Sequence, residues 1–236
     1  MSINISSKSI LRGWLIRELR KPSGFLSSLF INSMNLGHSR FTRKVLGEVT
    51  ITPSDTILDI GCGGGNAISI MAGLGRVVCG IDHSPSCVEK SINKNRSGVK
   101  AGRVVIREGD AEAIPFEDGT FDLITAFETV YFWPDPEAAF LEIHRKLKPS
   151  GVFIVACEAR KPENGKKHFL EDADTGNGTF RVFGRGEMRD ILCNAGFVGI
   201  KELLPQKKRW LCLSAQKKTR YDPPQGANRR LQAAPF

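Results

Sequence analysis

The sequence lacks the features that would mark a membrane span, a secreted chain or a zinc site. None of its 236 residues begins a run of about 18 uncharged apolar residues, which a membrane-spanning helix requires. The first twenty residues lack the layout of a signal peptide, so we expect a cytoplasmic protein. The six cysteines form no C-x-x-C pair and have no histidine at zinc-finger spacing. We therefore expect reduced, mostly buried thiols and no bound metal.

Positive charge is concentrated at the two ends of the chain. The formal net charge is +9, with +6 in residues 1–50, +7 in residues 201–236 and −4 between them. Basic ends can contact nucleic acid or an anionic membrane surface, but we favour solvated side chains and a loose tail as the explanation. We do not expect nucleic acid as a partner, whereas weak contact with a membrane surface stays open.

Residues 1–50 have the apolar spacing of helices. Leu11, Trp14, Leu15 and Leu19 lie at helical intervals, and Phe25, Leu26, Leu29, Phe30 and Met34 repeat the pattern. A third helix is predicted from about Ser39 to Val49. Apolar stripes of this kind must be buried against something, and we expect this segment to form a helical lid.

From Asp55 onward, short β-branched runs alternate with helical stretches. The predicted strands are Thr56–Ile60, Val77–Ile81, Val104–Ile106, Phe121–Ala126 and Gly151–Ala156, followed by Val198–Leu204 and Trp210–Ser214. Continuous apolar runs indicate strands covered on both faces, hence a parallel sheet. The joint between the last two runs is too short for a crossover helix, which predicts an antiparallel pair. The fold class is α/β: a Rossmann-like seven-stranded, mostly parallel sheet with an antiparallel final strand and helices on both faces.

A glycine-rich turn follows the first predicted strand. The pattern is D-x-G-x-G-x-G, beginning at Asp59 and including Gly61 and Gly63. Glycine allows positive φ and lets the backbone approach a ligand that a Cβ would push away. A dinucleotide-binding G-x-G-x-x-G turn would need glycine at position 66, which is Asn66. The turn therefore predicts a nucleotide-like ligand other than a dinucleotide.

Acidic residues follow the next two predicted strands. Asp82 ends the second strand, where a carboxylate can accept hydrogen bonds from both hydroxyls of a ribose. The third strand leads into Gly109-Asp110-Ala111, with Ile114-Pro115-Phe116 a few residues later.

Together these motifs resemble the class I S-adenosylmethionine-dependent methyltransferases. The order is the glycine turn, the acid at the second strand end, G-D-A with I-P-F, F-D, and L-K-P-S-G before the fifth strand. The resemblance covers about residues 45–215 and is nearest to the small-molecule branch with the ubiquinone and menaquinone C-methyltransferases. It implies S-adenosylmethionine as cofactor and a small-molecule acceptor.

The resemblance also implies roles for single residues. Gly61 and Gly63 would pass beneath the methionine part of the cofactor, and Asp59 would help hold its amino group. Asp82 would bind the ribose. The adenine contacts would come from Asp110 and Ala111, with His83 against the adenine face or simply at a helix entry.

The acceptor side is expected after the fourth strand, because ligands of open α/β sheets bind beyond the carboxyl ends of strands. Glu128 is a candidate base or a neighbour of the sulfonium, with a purely structural role equally open. Tyr131 is a second candidate, with burial in the core as its alternative. Neither the [DN]-P-P-[YFW] motif nor the Pro-Cys motif of nucleic-acid methyltransferases is present.

We expect residues 1–50 to be the lid, residues 51–215 the methyltransferase domain and residues 216–236 a disordered tail. The lid would act together with an insertion at residues 161–183. Two alternatives remain open: an NAD-dependent oxidoreductase, and a nucleic-acid or membrane-surface binding module that uses the basic ends.

Overall fold

A seven-stranded sheet organises the chain. The structure, a computed structural model, describes residues 39–161, 181–207 and 209–219. The strands are β1 (Thr56–Ile60), β2 (Val77–Asp82), β3 (Val104–Glu108), β4 (Phe121–Phe127), β5 (Leu147–Cys157), β6 (Phe197–Glu202) and β7 (Leu211–Lys217). Their order is β3-β2-β1-β4-β5-β7-β6, and β7 alone runs antiparallel to its neighbours. The predicted antiparallel pair at the end of a parallel sheet is confirmed.

Helices cover both faces of this sheet. They are residues 39–46 (α1), Asn66–Met71 (α2), Pro85–Lys94 (α3), Arg96–Lys100 (α4), Pro136–Lys146 (α5) and Arg185–Asn194 (α6). Alternate residues of β1 enter different cores: Ile57 packs with α1 and α2, whereas Leu58 packs with α5 and α6. Because both faces are covered, the central strands read as continuous apolar runs.

Two short helices follow β2 in place of one long helix. The first, α3, ends at Lys94, Asn95 separates it from α4, and Gly98 lies inside α4. The cause is a tertiary contact: the buried Asn95 amide donates to the carbonyl oxygens of Gly65 (3.1 Å) and Ser91 (3.0 Å). The break thus fixes the helix to the glycine turn.

Helix α1 belongs to the core of the domain. Its side chains Phe41, Val45 and Leu46 are buried among strand residues, and the Phe41 ring meets Trp210 edge-on at 4.8 Å between centroids. The third helix of the predicted lid segment therefore packs on the sheet. The two helices predicted before it lie outside the described residues.

Strand β7 continues to Lys217, two residues into the segment predicted as a tail. The Gln216 amide donates to the Ser150 carbonyl (3.1 Å), and the Lys217 ammonium donates to the Leu147 carbonyl (2.7 Å). The domain thus ends later than residue 215. Residues 220–236 lie outside the described part. Over the described residues, no helix has the length and apolar character of a membrane span.

All six cysteines are free thiols, and only Cys193 is exposed. Burial raises the pKa of Cys79 to about 11 and that of Cys212 to about 12, because the apolar surroundings disfavour the thiolate. The expectation of reduced, mostly buried cysteines is confirmed.

Candidate functional site

The candidate site lies where the strand order reverses, between the carboxyl ends of β1 and β4. The turn after β1 and the turn after β4 touch here: a Cβ on Gly61, whose φ is +68°, would lie 2.1 Å from the Thr129 hydroxyl oxygen. Any side chain at position 61 would therefore separate the two turns. Such a crevice at a switch point is the usual ligand site of open α/β sheets.

The other two glycines of the D-x-G-x-G-x-G motif have different reasons to be glycine. A Cβ on Gly65 would lie 2.4 Å from the Ser91 hydroxyl, so its position is set by packing against α3. Gly63 has a φ of +52°, yet a Cβ there would meet no described residue within 4 Å. The backbone at Gly63 therefore borders open space, which is what a ligand lying against the turn requires.

Asp82 is brought to this turn by the end of β2. Its carboxylate accepts from the Gly63 N–H (2.8 Å) through Oδ2 and from the Ser84 N–H (2.9 Å) through Oδ1. The side chain is buried, with 6% of the residue exposed. Each oxygen keeps a further lone pair. Asp82 therefore holds the glycine turn in place and retains acceptor capacity for a hydroxyl-bearing ligand.

Asp59 lies beneath the turn on β1, opposite Thr125 of β4. The Thr125 hydroxyl donates to Asp59 Oδ1 (2.8 Å), and the residue is 2% exposed. Burial raises the pKa of Asp59 from 3.8 to about 7, an effect that the Thr125 hydrogen bond opposes and the charge of Asp82 increases. A cation placed here would favour the ionised carboxylate.

The three residues expected around an adenine are placed unequally. His83 follows Asp82, with its Nδ1 3.8 Å from Asp82 Oδ1 and 41% of its side chain exposed. Asp110 is exposed and forms a small bridge with Ala113. Ala111 is buried in the core beside β2. All three follow the carboxyl ends of β2 and β3, on the same edge as the glycine turn.

Glu128 occupies a strained position directly after β4. Its φ is +57°, a left-handed conformation that costs a non-glycine residue on the order of 1 kcal/mol. The Glu158 N–H donates to its Oε1. Burial raises the pKa of Glu128 from 4.5 to about 8, which that N–H opposes and the charge of Glu158 adds to. A carboxyl group with this pKa is matched to proton transfer near neutral pH.

Tyr131 lies in the short 3₁₀ helix Val130–Phe132 and is 4% exposed. Its hydroxyl donates to the Ala159 carbonyl (3.2 Å) and lies 3.1 Å from the Ala159 N–H, which donates to it. Burial raises its pKa well above the ordinary value for tyrosine. This phenol can therefore reach a substrate proton only where the contact with Ala159 opens.

The ends of the predicted insertion meet beside Tyr131. The Lys161 N–H donates to the Phe183 carbonyl (3.0 Å), and the Arg181 N–H donates to the Tyr131 carbonyl (3.0 Å). Val182 and Phe183 are fully buried. Residues 162–180 lie outside the described residues, and the two described ends of the insertion both lie at the predicted acceptor side.

Three contributors to the site were missed in the sequence. Thr125 and Thr129 act through pairing and contact between β1 and β4, and Glu158 acts through its backbone N–H, which no side-chain motif marks. In the described ranges, no three histidine, cysteine or acidic side chains are grouped as metal ligands would be.

Comparison with known proteins agrees with this geometry. Residues 58–155 match the family described as "Methyltransferase domain". Sterol 24-C-methyltransferase of Eremothecium gossypii is 32% identical over 171 residues, covering 70% of this chain and 46% of that protein. Demethylmenaquinone methyltransferase of Lactiplantibacillus plantarum is 32% identical over 137 residues, covering 56% of this chain and 57% of that protein. The chain spans about half the length of the curated relatives it matches.

The fold has solved counterparts as well. Geranyl diphosphate C-methyltransferase of Streptomyces coelicolor superposes with a TM-score of 0.63 at 17% identity, covering 77% of this chain and 78% of that one. That enzyme was solved with Mg²⁺, geranyl diphosphate and S-adenosyl-L-homocysteine. The shared fold confirms the predicted Rossmann-like sheet. Residues 58–155 match a methyltransferase domain, and the resemblance of the chain to the class I S-adenosylmethionine-dependent methyltransferases is confirmed.

Proposed function

We propose that this chain binds S-adenosylmethionine at the carboxyl ends of β1 and β2 and transfers its methyl group to a small-molecule acceptor. One observation carries the proposal: the backbone of Gly63 borders open space while its N–H is bound by the buried carboxylate of Asp82. The turn is thus rigid and open on one side. Asp82 gives that space negative charge, and a bound cation would favour the ionised form of Asp59 as well, which suits a cofactor that carries a sulfonium and an ammonium group.

Each cofactor group has a partner in this arrangement. Asp82 has lone pairs left for the ribose hydroxyls, and the turn at Gly61 and Gly63 would lie along the methionine part. The ionised form of Asp59 would attract the ammonium group. Asp110, Ala111 and His83 would surround the adenine, because they follow β2 and β3 at the same edge.

S-adenosylmethionine, when bound, supplies an activated methyl group for in-line displacement by the acceptor. The protein then needs chiefly to align the acceptor and, for some acceptors, to take its proton. Glu128 is our proposed base. Its buried carboxyl group follows β4 beside the crevice, and its pKa near 8 leaves it a far stronger base than an ordinary glutamate.

A small-molecule acceptor is favoured by the relatives, whose names give sterols and demethylmenaquinone as substrates. An NAD-dependent oxidoreductase is disfavoured because Asn66, the first residue of α2, stands where a dinucleotide turn would have its third glycine. A binding module built on the basic ends would give no reason for the crevice at Gly63.

Calorimetric titration tests the cofactor. We expect S-adenosylmethionine and S-adenosylhomocysteine to bind and NAD to give no heat. Tight NAD binding without heat from either sulfur compound would refute the proposal. Turnover is then scored by S-adenosylhomocysteine release over a panel of phenols, quinols, thiols, amines and sterol-like lipids.

The role of Asp82 needs a sharper test, because its loss also frees the N–H groups of Gly63 and Ser84. We expect Asp82→Asn to weaken S-adenosylhomocysteine binding by roughly ten- to a hundredfold, the value of one or two charge-assisted hydrogen bonds. The 2′-deoxy analogue of S-adenosylhomocysteine separates the loss of the ribose hydrogen bond from the loss of the hydrogen bonds that hold the turn. If Asp82 binds the ribose, the analogue binds more weakly than S-adenosylhomocysteine to the wild type and about equally to the variant. Asp190→Asn, on the exposed face of α6, is the control.

A further inference from the structure

A second cavity opens beside the proposed acceptor site. Its volume is about 290 Å³, and it is lined by Arg40, Phe41, Lys44, Glu158 and Trp210. Helix α1 forms one wall, Glu158 after β5 forms the second, and Trp210 before β7 forms the third. We call it the Trp210 pocket.

This pocket adjoins the turn that holds the proposed base. The Glu158 N–H donates to the carboxylate of Glu128, so a single residue borders both places. The Phe41 ring lies 6.4 Å, centroid to centroid, from the ring of Phe127, the residue before Glu128. A molecule bound in the Trp210 pocket would therefore lie beside the acceptor crevice.

Cations outnumber acids around the pocket. Arg40 and Lys44 are one helical turn apart on the exposed face of α1, and the Lys44 ammonium lies 5.9 Å from the centroid of the Trp210 ring. The ammonium of Lys207, from the turn between β6 and β7, lies 5.7 Å from the same centroid. None of these three cations has an ion-pair partner in the described ranges. Among the described lining residues, Glu158 is the one carboxylate.

We propose that the Trp210 pocket binds an anionic group of the methyl acceptor, a carboxylate, phosphate or sulfate attached to an apolar body. This inference rests on the proposed function, because it names the chemical class of the acceptor. Arg40 and Lys44, the two cations that line the pocket, would pair with the anion. The aromatic wall of Phe41 and Trp210 would contact the apolar part, which leads from the pocket toward Glu128.

Octyl phosphate and octanol are the probes, because they share an apolar chain and differ in charge. We expect calorimetry to show octyl phosphate binding and no comparable binding of octanol. Replacing the two cations of α1 that line the pocket, Arg40→Gln with Lys44→Gln, should weaken octyl phosphate binding by at least roughly tenfold. Arg43→Gln is the matched control, since Arg43 is exposed on the same helix and does not line the pocket. It should change the affinity by less than about twofold.

Two results would overturn the proposal. One is equal binding of octanol and octyl phosphate. The other is binding to phosphatidylglycerol vesicles that the double variant loses, with no binding of octyl phosphate, which would make the surface a membrane contact. S-adenosylmethionine binding is measured on the same preparations. A wild type that binds octyl phosphate but not S-adenosylmethionine would refute the proposed function and leave the anion site standing.

Discussion

Replacing Asp59 by asparagine should make the protein more stable and its cofactor binding weaker. The amide side chain keeps the shape of the carboxyl group and an oxygen for the Thr125 hydroxyl, which now donates to Asp59 over 2.8 Å. What the substitution removes is the negative charge of a residue that is 2% exposed. The folded protein keeps the proton of Asp59 up to about pH 7, whereas the unfolded chain releases it near 3.8.

The sign and size of the effect follow from proton linkage. Because the folded state binds the proton more tightly, Asp59 reduces stability progressively as the pH rises from 3.8 to about 7. One pKa unit equals about 1.4 kcal/mol, so the full rise corresponds to about 4 kcal/mol, an upper value for the cost. Asparagine does not bear this cost. The stability gained by Asp59→Asn should therefore be roughly 2 to 3 kcal/mol larger at about pH 8 than at about pH 5.

Urea denaturation of the wild type and Asp59→Asn at both pH values measures this difference. Asp190→Asn, which replaces an exposed aspartate on α6, is the control and should show no such trend. A gain for Asp59→Asn that is the same at both pH values would mean that Asp59 ionises in the folded protein as it does in the unfolded chain. The explanation by burial would then be refuted.

The ionisation of Asp59 should also affect cofactor binding. An ammonium group beside Asp59 stabilises the carboxylate, so binding of S-adenosylmethionine at about pH 6 should release a proton. Calorimetry in buffers of different ionisation enthalpy measures that proton. Asp59→Asn should abolish the release and weaken binding. Release that persists in the variant would assign the proton to another group.

Three further predictions concern the acceptor side and the chain end. Glu128→Gln should lower kcat. It should also remove the rise in rate that we expect of the wild type as the pH passes about 8, because a base acts only when it is deprotonated. An unchanged pH–rate profile would exclude Glu128 as the base. Tyr131→Phe should lower the free energy of unfolding by about 1 to 2 kcal/mol, because it removes the hydrogen bonds with Ala159; thermal denaturation measures this loss. A large loss of kcat at unchanged stability would instead indicate a catalytic phenol. Removing residues 220–236 should leave S-adenosylmethionine binding and turnover nearly unchanged, since β7 ends at Lys217. Loss of turnover with unchanged S-adenosylmethionine binding would give that segment a role in acceptor binding.

The strands and the position of the glycine turn beside Asp82 could be predicted because their signals are local. A strand buried on both faces is a continuous apolar run, as in Thr56–Ile60, whose predicted bounds match the structure. The glycines of the turn and the acid at the end of β2 lie directly after strands, so their placement follows from the order of the elements. The proline after Asp135 likewise marks the start of α5, whose N-cap Asp135 accepts from the Ala138 N–H (3.0 Å).

What could not be predicted depends on contacts between distant segments. The break at Asn95 arises because its side chain bonds to Gly65, thirty positions away. The pKa of Asp59 depends on Thr125, which faces it only through the pairing of β1 with β4. Glu128 was proposed from its position after β4, but its positive φ and its bond from the Glu158 N–H are invisible in the sequence.

Three costly features of this fold lie at one edge of the sheet. Asp59 is a carboxyl group buried against its preference, Glu128 is both buried and strained, and Gly61 brings two turns within contact distance. The first two would be relieved by ordinary substitutions, such as asparagine at position 59 or glycine at position 128. Stability alone gives no reason for such features to occur together at the crevice between β1 and β4. A cationic ligand does, because it would use the charge of Asp59 and the space beside Gly63 that the bare fold leaves unfilled.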